Sequence, residues 1–213
     1  MNESIMKMYE AKLVVLSKRL KEKQFAVSIV DNNEQLIDLI KQIIPSQSSV
    51  SLGGSQTLKD TGLLDELYKM DINLIDRYKQ GISKDEKEDL LRQGLLSDYF
   101  ITSTNAISMD GALYNIDGTG NRVAAMIFGP KNVLVVCGLN KIANDEIDAI
   151  NRVRNIASPA NAIRLNKDTP CTKLGYCVNC NSPQKICSSF VKIDNSHVKD
   201  RIHIIFVKEE LGY

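Results

Sequence analysis

Apolar positions along the chain alternate between short β-rich runs and stretches at helical spacing. Ile5, Met8, Leu13, Leu16 and Leu20 recur at roughly that spacing, which predicts a helix over Ser4–Lys21 with these residues on its buried face. "FAVSIV" (Phe25–Val30) then reads as a buried strand. Asp31 and Asn32 can cap a helix running through Leu36, Leu39, Ile40 and Ile43 to Pro45. "SSVSLGG" predicts the next strand, "QTLKDTGLLDELYKM" a helix interrupted at Gly62, "INLID" a strand, and "KDEKEDLLRQGLL" a helix with charges outward. "DYFITST", a glycine-rich middle and the strongly apolar "NVLVVCG" follow. "NDEIDAINRVRNIA" then reads as a helix capped by Asn144, with Ile147, Ile150 and Val153 on one face. "RIHIIFVKEELGY" closes the chain as a strand and short tail. Strands separated by helices imply right-handed crossovers and a mainly parallel sheet covered on both sides.

The chain has 213 residues, enough for one large domain with a real core. No linker divides it, and the expected organisation is a single α/β unit. It comprises an N-terminal helix (1–22), a core (23–165), a cysteine-rich insertion (166–195) and a final strand and tail (196–213). Its apolar and charged fractions, 43% and 25%, are ordinary for a globular protein and argue against disorder. A formal charge of +1 gives no field that would gather nucleic acid or an anionic membrane. The N-terminal stretch lacks the order of a signal peptide, and "LVVL" is far too short to cross a bilayer, so the expectation is a cytoplasmic protein.

Two strand ends carry unusual chemistry, and strand ends are where open α/β sheets bind ligands. The first is "SVSLGGSQTL": Gly53 and Gly54 allow close backbone approach, while Ser55 and Thr57 add hydroxyls at a helix start. A tight turn with a serine cap explains the same residues. The second is "TSTNAISMDGALYNIDGTGNRVAAMIFGP", where Thr104, Asn105, Asn115, Gly118, Gly120, Asn121 and Arg122 crowd between two apolar strands. So many polar groups beside a core must bind each other or a ligand. Arg122, whose planar fork matches a carboxylate or phosphate, is the expected clamp. Its removal should weaken anion binding and leave the fold intact. Asp110 and Asp117 are candidate acid/base residues, or simply turn residues. Asn140 and Lys141, in "CGLNKI", end the apolar strand and place a further cation toward the same pocket. No G-x-G-x-x-G follows the first strand, so no nicotinamide is expected.

Four of the five cysteines, Cys171, Cys177, Cys180 and Cys187, follow a C-x5-C-x2-C-x6-C spacing. In a reducing compartment such a cluster points to a metal or to redox chemistry rather than to disulfides. Four thiolates suit an iron–sulfur cluster or zinc, and the spacing does not choose between them; free or regulatory thiols are the third reading. Cys137, at the end of "VLVV", reads as a small buried apolar residue, and His197 and His203 have no evident partner.

"GGSQT", "STNAISMDGALYNIDGTGNRVAAMIFGP", "CGLNKI" and the four-cysteine run together resemble the LUD-domain (lactate-utilisation) family of bacterial proteins. The resemblance implies a component of lactate oxidation acting beside iron–sulfur partner proteins, and it favours iron–sulfur over zinc. It also implies a three-layer α/β sandwich similar to ribose-5-phosphate isomerases, glucosamine-6-phosphate deaminases and CoA transferases, which are often oligomers. The isomerases carry a lysine-glycine turn followed by a catalytic glutamate; Asn115 to Arg122 contain neither, and no Glu-x-Gly nucleophile segment is present. Three functions are therefore carried forward. One is an anion-binding redox component for lactate or a related 2-hydroxy acid. Another is a stand-alone isomerase or acyl-transfer enzyme on a phosphorylated or CoA substrate. The last is a non-catalytic metabolite sensor.

Overall fold

The computed structural model describes residues 2–213. Helix α1 (Glu3–Glu22) is capped by Asn2, whose side chain accepts from the Ser4 amide, and it buries Leu13, Leu16 and Leu20. Ile5 and Met8, expected on the same face, are exposed, because the first turns of α1 run past the edge of the core. Strand β1 (Ala26–Val30) leads to α2 (Asn33–Ile43), capped by Asn32 through the Gln35 amide at 3.0 Å. Asp31 instead pairs with Lys208. Strand β2 (Ser49–Leu52) is followed by two short helices, α3 (Gln56–Asp60) and α4 (Leu63–Leu67). Gly62 separates them at φ 67°, a left-handed conformation open to glycine. Strand β3 (Asn73–Ile75), α5 (Lys84–Gln93) and β4 (Tyr99–Thr102) complete the first half.

The glycine-rich middle, to which the sequence pattern assigned no elements, is itself structured. It contains strands β5 (Ala106–Ser108) and β6 (Leu113–Asp117), joined by a tight turn in which Gly111 has φ 86°, and then α6 (Asn121–Phe128). Strand β7 (Asn132–Gly138) runs through a short 3-10 turn into β8 (Ile142–Ala143). Helix α7 (Glu146–Arg152) is capped by Asp145, not Asn144, because the Asp145 carboxylate reaches the Asp148 amide at 2.8 Å. Its buried positions are Ala149 and the following Val153, while Ile147 is 71% exposed. A π turn (Val153–Ala157) joins it to α8 (Ser158–Arg164). Pro159 lacks the amide that would close an α turn there, which accounts for the widened register. Helix α9 (Pro170–Leu174) precedes the remaining cysteines, and strands β9 (Ser189–Ile193) and β10 (Ile202–Val207) end the fold.

Six strands form an all-parallel sheet in the order β1-β10-β7-β4-β2-β3. Central β7 shows why its sequence is continuously apolar. Val133, Val135 and Cys137 pack with α1, while Leu134 and Val136 face the side of α2, so alternate residues enter two separate cores. The result is the expected three-layer α/β sandwich. A second sheet, β8-β5-β6-β9, packs beside it, with β9 antiparallel to β6 from Leu113↔Ile193 to Asp117↔Ser189. The cysteine-bearing segment is thus anchored at both ends, by α9 and by β9. Among the described residues no helix is long and apolar enough to cross a membrane.

Candidate functional site

The parallel sheet ends in a cavity of about 530 Å³, walled by four parts of the chain that are distant in sequence. Gly54 to Thr57 lead from β2 into α3; Ser103 to Asn105 follow β4; Ile116 to Arg122 join β6 to α6; and Lys141 follows β7. Helix α8 and the segment Pro183–Ile186 close the opposite side. That volume is typical of a small-molecule site.

Most of the residues expected at the site do meet here. Gly54, Ser55, Thr57, Thr104, Asn105, Asp117, Gly118, Asn121, Arg122 and Lys141 all line the cavity. Their roles divide between supporting the wall and facing the interior. Ser55 caps α3 by accepting from the Leu58 amide, and the Thr104 hydroxyl donates to Ala106 O and Tyr114 O. Gly53 lies behind the wall, where a Cβ would come within 3.2 Å of the Phe100 ring. Gly120, at φ 87°, starts α6 without a side-chain cap, and its amide donates to Asp117 Oδ1 at 2.8 Å. Asn140 holds the end of the chain, its side chain bonding Leu211 N and Gly212 O. Asp110 is outside the cavity: it sits in the β5–β6 turn, receives the Ser108 hydroxyl, and neighbours Gly111, which packs on the Arg19 backbone of α1.

Arg122 departs most from its expected role. Its Nη1 donates to Ser103 O at 3.1 Å and to Asn115 Oδ1 at 2.5 Å. Its Nη2 donates to Asn105 Oδ1 at 3.1 Å and Ile116 O at 2.7 Å, and its Nε lies 3.3 Å from Asp117 Oδ2. All five N–H groups are thereby engaged, and the residue is 8% exposed. Burial pulls the guanidinium pKa down, with Asp117 opposing the shift. Arg122 is a tie between α6, the β4 loop and β6, with no donor left for a ligand. Asn115 is fully buried behind the wall and serves Arg122. Asp117, the one side-chain carboxylate lining the cavity among the described residues, is engaged by Arg122 and Gly120.

The cations that face the cavity come mostly from elsewhere. Besides Lys141 they are Arg77, Arg164, Lys167 and Lys185. With the Arg122–Asp117 pair neutral, these five side chains give the cavity a strongly positive interior. Arg77 follows β3, so the strand-end rule was a usable signal for it. Arg164 on α8 and Lys185 between two cysteines carry no such signal, because only the fold brings them to the sheet. Lys141 is 3% exposed, and burial pushes its amine down to about 8. Cys137 is fully buried, and burial pushes its thiol up to about 12, which leaves it an unreactive core residue. The His203 ring shares a 2.9 Å hydrogen bond with Ser28 Oγ, far from the cavity wall.

Cys171, Cys177, Cys180 and Cys187 are free and partly buried. Burial raises the Cys187 thiol, and the fields of Cys177 and Cys180 and, more weakly, Cys171 push the same way, so the four sulfurs share one neighbourhood. The Asn179 amide, in a left-handed residue, donates to Cys177 Sγ at 3.4 Å. Among the described residues no three His, Cys, Asp or Glu side chains converge on one metal position. The donor set suits a soft metal or a cluster, and the segment would have to tighten around it. The stretch between Cys180 and Cys187 is also the stretch that walls the cavity, and Gly118 lies against Ile186 there.

A family model described as LUD domain matches residues 13–207. Among solved structures, a DUF162 family protein from Deinococcus radiodurans matches with a TM-score of 0.52 and 14% identity, over 93% of this chain and 98% of that one. At that identity the likeness concerns the fold. No curated protein matches the chain.

Proposed function

The chain belongs to the LUD-domain family, and on that premise we propose that its strand-end cavity binds a small carboxylate- or phosphate-bearing ligand in the setting of lactate utilisation, with a thiolate-held metal centre alongside. The supporting observation is the charge of the cavity: five cationic side chains line it, and its one side-chain carboxylate is held by Arg122. Such a site disfavours cations and leaves its lysines and arginines without a counter-charge until an anion arrives. The stand-alone isomerase or acyl-transfer reading has less support, since Asp117 is tied up and Asp110 is elsewhere.

In this reading Arg77, Arg164, Lys167 and Lys185 attract and orient the anion, and Lys141 contacts it from the sheet side. The amides at the start of α6, uncapped by Gly120, add partial positive charge. Cys171, Cys177, Cys180 and Cys187 would hold an iron–sulfur cluster, or zinc. Bound there, a cluster would accept and release single electrons, and zinc would brace the loop. Pro183–Ile186 would then couple the metal segment to the ligand site, and partner proteins would exchange electrons at the exposed cysteine segment. Unpaired thiols fit a reducing, cytoplasmic setting.

Titration calorimetry with lactate and with inorganic phosphate tests the cavity. Arg164→Ala and Lys185→Ala should each weaken binding by about tenfold, equivalent to about 1.4 kcal/mol. Unchanged affinity in both variants would remove the cavity from the reading. Iron, zinc and acid-labile sulfide content of anaerobically purified protein tests the metal centre: Cys180→Ser should lower it, and full retention would exclude a four-thiolate site.

A further inference from the structure

Lys141 is the one fully buried lysine among the described residues, and its surroundings differ from those of the other cavity cations. Lys167 and Lys185 are partly exposed and Arg164 is exposed, as expected of groups that steer an anion. Lys141 instead sits at the floor of the cavity, in the 3-10 turn after β7. It has no side-chain ion-pair partner among the described residues, and its single hydrogen bond is a long one, from Nζ to Tyr213 O at 3.4 Å. Beside it, Arg152 donates from Nε to Asn140 O at 2.7 Å and from Nη1 to Asn105 O at 2.8 Å. A second cation, whose field reaches the amine, is thereby held by backbone carbonyls that cannot neutralise it.

We propose that Lys141 is a nucleophilic amine that forms a reversible imine with an anionic carbonyl compound, a short 2-oxo acid, held in the cavity. The proposal rests on the anion-binding reading above and deepens it by naming the ligand class. The surrounding cations would hold the carboxylate, while the amine meets the adjacent carbonyl carbon. The amine lone pair forms the C–N bond as the carbonyl π pair moves to oxygen, which takes up a proton. The carbinolamine hydroxyl then leaves as water, and the nitrogen loses its second proton to give C=N. No oxidant or reductant takes part.

The groups facing Lys141 favour the unprotonated amine that this step needs. Burial lowers its pKa to about 8; Arg152 and Arg122 push it further down, while Cys137 and Asp60 act the other way. A desolvated lysine next to another cation is a recognised way to obtain a nucleophilic amine near neutral pH. An exposed lysine at its ordinary 10.5 would be almost wholly protonated there.

The test treats the full chain with pyruvate and sodium cyanoborohydride, followed by intact mass and peptide mapping, with calorimetric titration of lactate run in parallel. Lactate has the same carboxylate and no carbonyl. The expected result is one reduced adduct per chain, on Lys141, whose rate of formation rises with pH through about 8. Lys141→Arg and Lys141→Met should each lose that adduct, with an unchanged circular dichroism spectrum excluding misfolding as the cause. Absence of an adduct on Lys141, or labelling no stronger there than on surface lysines, overturns the proposal. If lactate still binds in that event, the anion-binding reading stands without it; if lactate does not bind either, both fall.

Discussion

Replacing Arg122 should cost the fold far more than it costs direct ligand contact. Arg122→Met removes five donors at once and strands the Asp117 carboxylate with the Gly120 amide as its remaining partner. Breaking one side of a buried ion pair costs about 3–5 kcal/mol. The four oxygens of Ser103, Asn105, Asn115 and Ile116 lose their partner as well. Water entering from the cavity can satisfy part of that loss, so about 4 kcal/mol is the working figure. Against a total stability of about 5–15 kcal/mol this is a large fraction. With an m-value of about 2 kcal/mol/M, the urea midpoint read by circular dichroism should fall by about 2 M. The difference should persist in about 0.5 M salt, because a buried pair is weakly screened. Arg122→Lys keeps the charge, reaches fewer acceptors, and should recover about half. A loss under about 1 kcal/mol in Arg122→Met, accompanied by abolished anion binding, would refute this reasoning and restore Arg122 as a free ligand clamp.

Two glycines should respond to alanine for different reasons. Gly53→Ala drives a methyl against Thr102 and Phe100 and should destabilise by about 1–3 kcal/mol through overpacking. Gly120→Ala has open space but φ 87°, so its cost should be about 1–2 kcal/mol of backbone strain; equal stability of wild type and either variant would contradict the packing described. Burial holds the His203 pKa below 6.5, so the folded state prefers the neutral ring. The unfolded chain then binds more protons as pH falls below about 6.5, stability drops in that window, and His203→Gln should flatten the drop in a pH series of urea midpoints. Lys141 acts in the alkaline range: with its folded pKa near 8 against an ordinary 10.5, its contribution makes stability rise across that interval. Lys141→Met should remove the rise, and an unchanged slope would show the amine to be solvated.

How much of this was legible in the chain depends on the range of the interactions. Continuous apolar runs such as "NVLVVCG" announced buried strands, since a strand covered on both faces needs apolar residues at every position. The caps at Asn32 and Ser55 and the break at Gly62 were legible because they act within a few residues. The strand end at "GGSQT" likewise pointed to the cavity, as a parallel sheet collects such turns at one end, whereas "DGTGN" reaches the same cavity from the end of β6 in the second sheet. Asp110 and Arg122 misled for one reason: an isolated Asp-Gly or Asn-Arg motif does not reveal which partner its side chain finds. Only the β5–β6 hairpin places Asp110 in a turn outside the cavity, bonded to Ser108. Only the meeting of Ser103, Asn105, Asn115, Ile116 and Asp117 uses up the Arg122 guanidinium. The insertion of β10 between β1 and β7 and the arrival of Arg164 and Lys185 at the sheet edge are long-range pairings. Sequence chose the elements and the strand ends that line the cavity, because those follow from local sterics and hydrophobic period. Tertiary structure decided which charges remain free there, because a charge is free or spent according to neighbours that only the folded chain supplies.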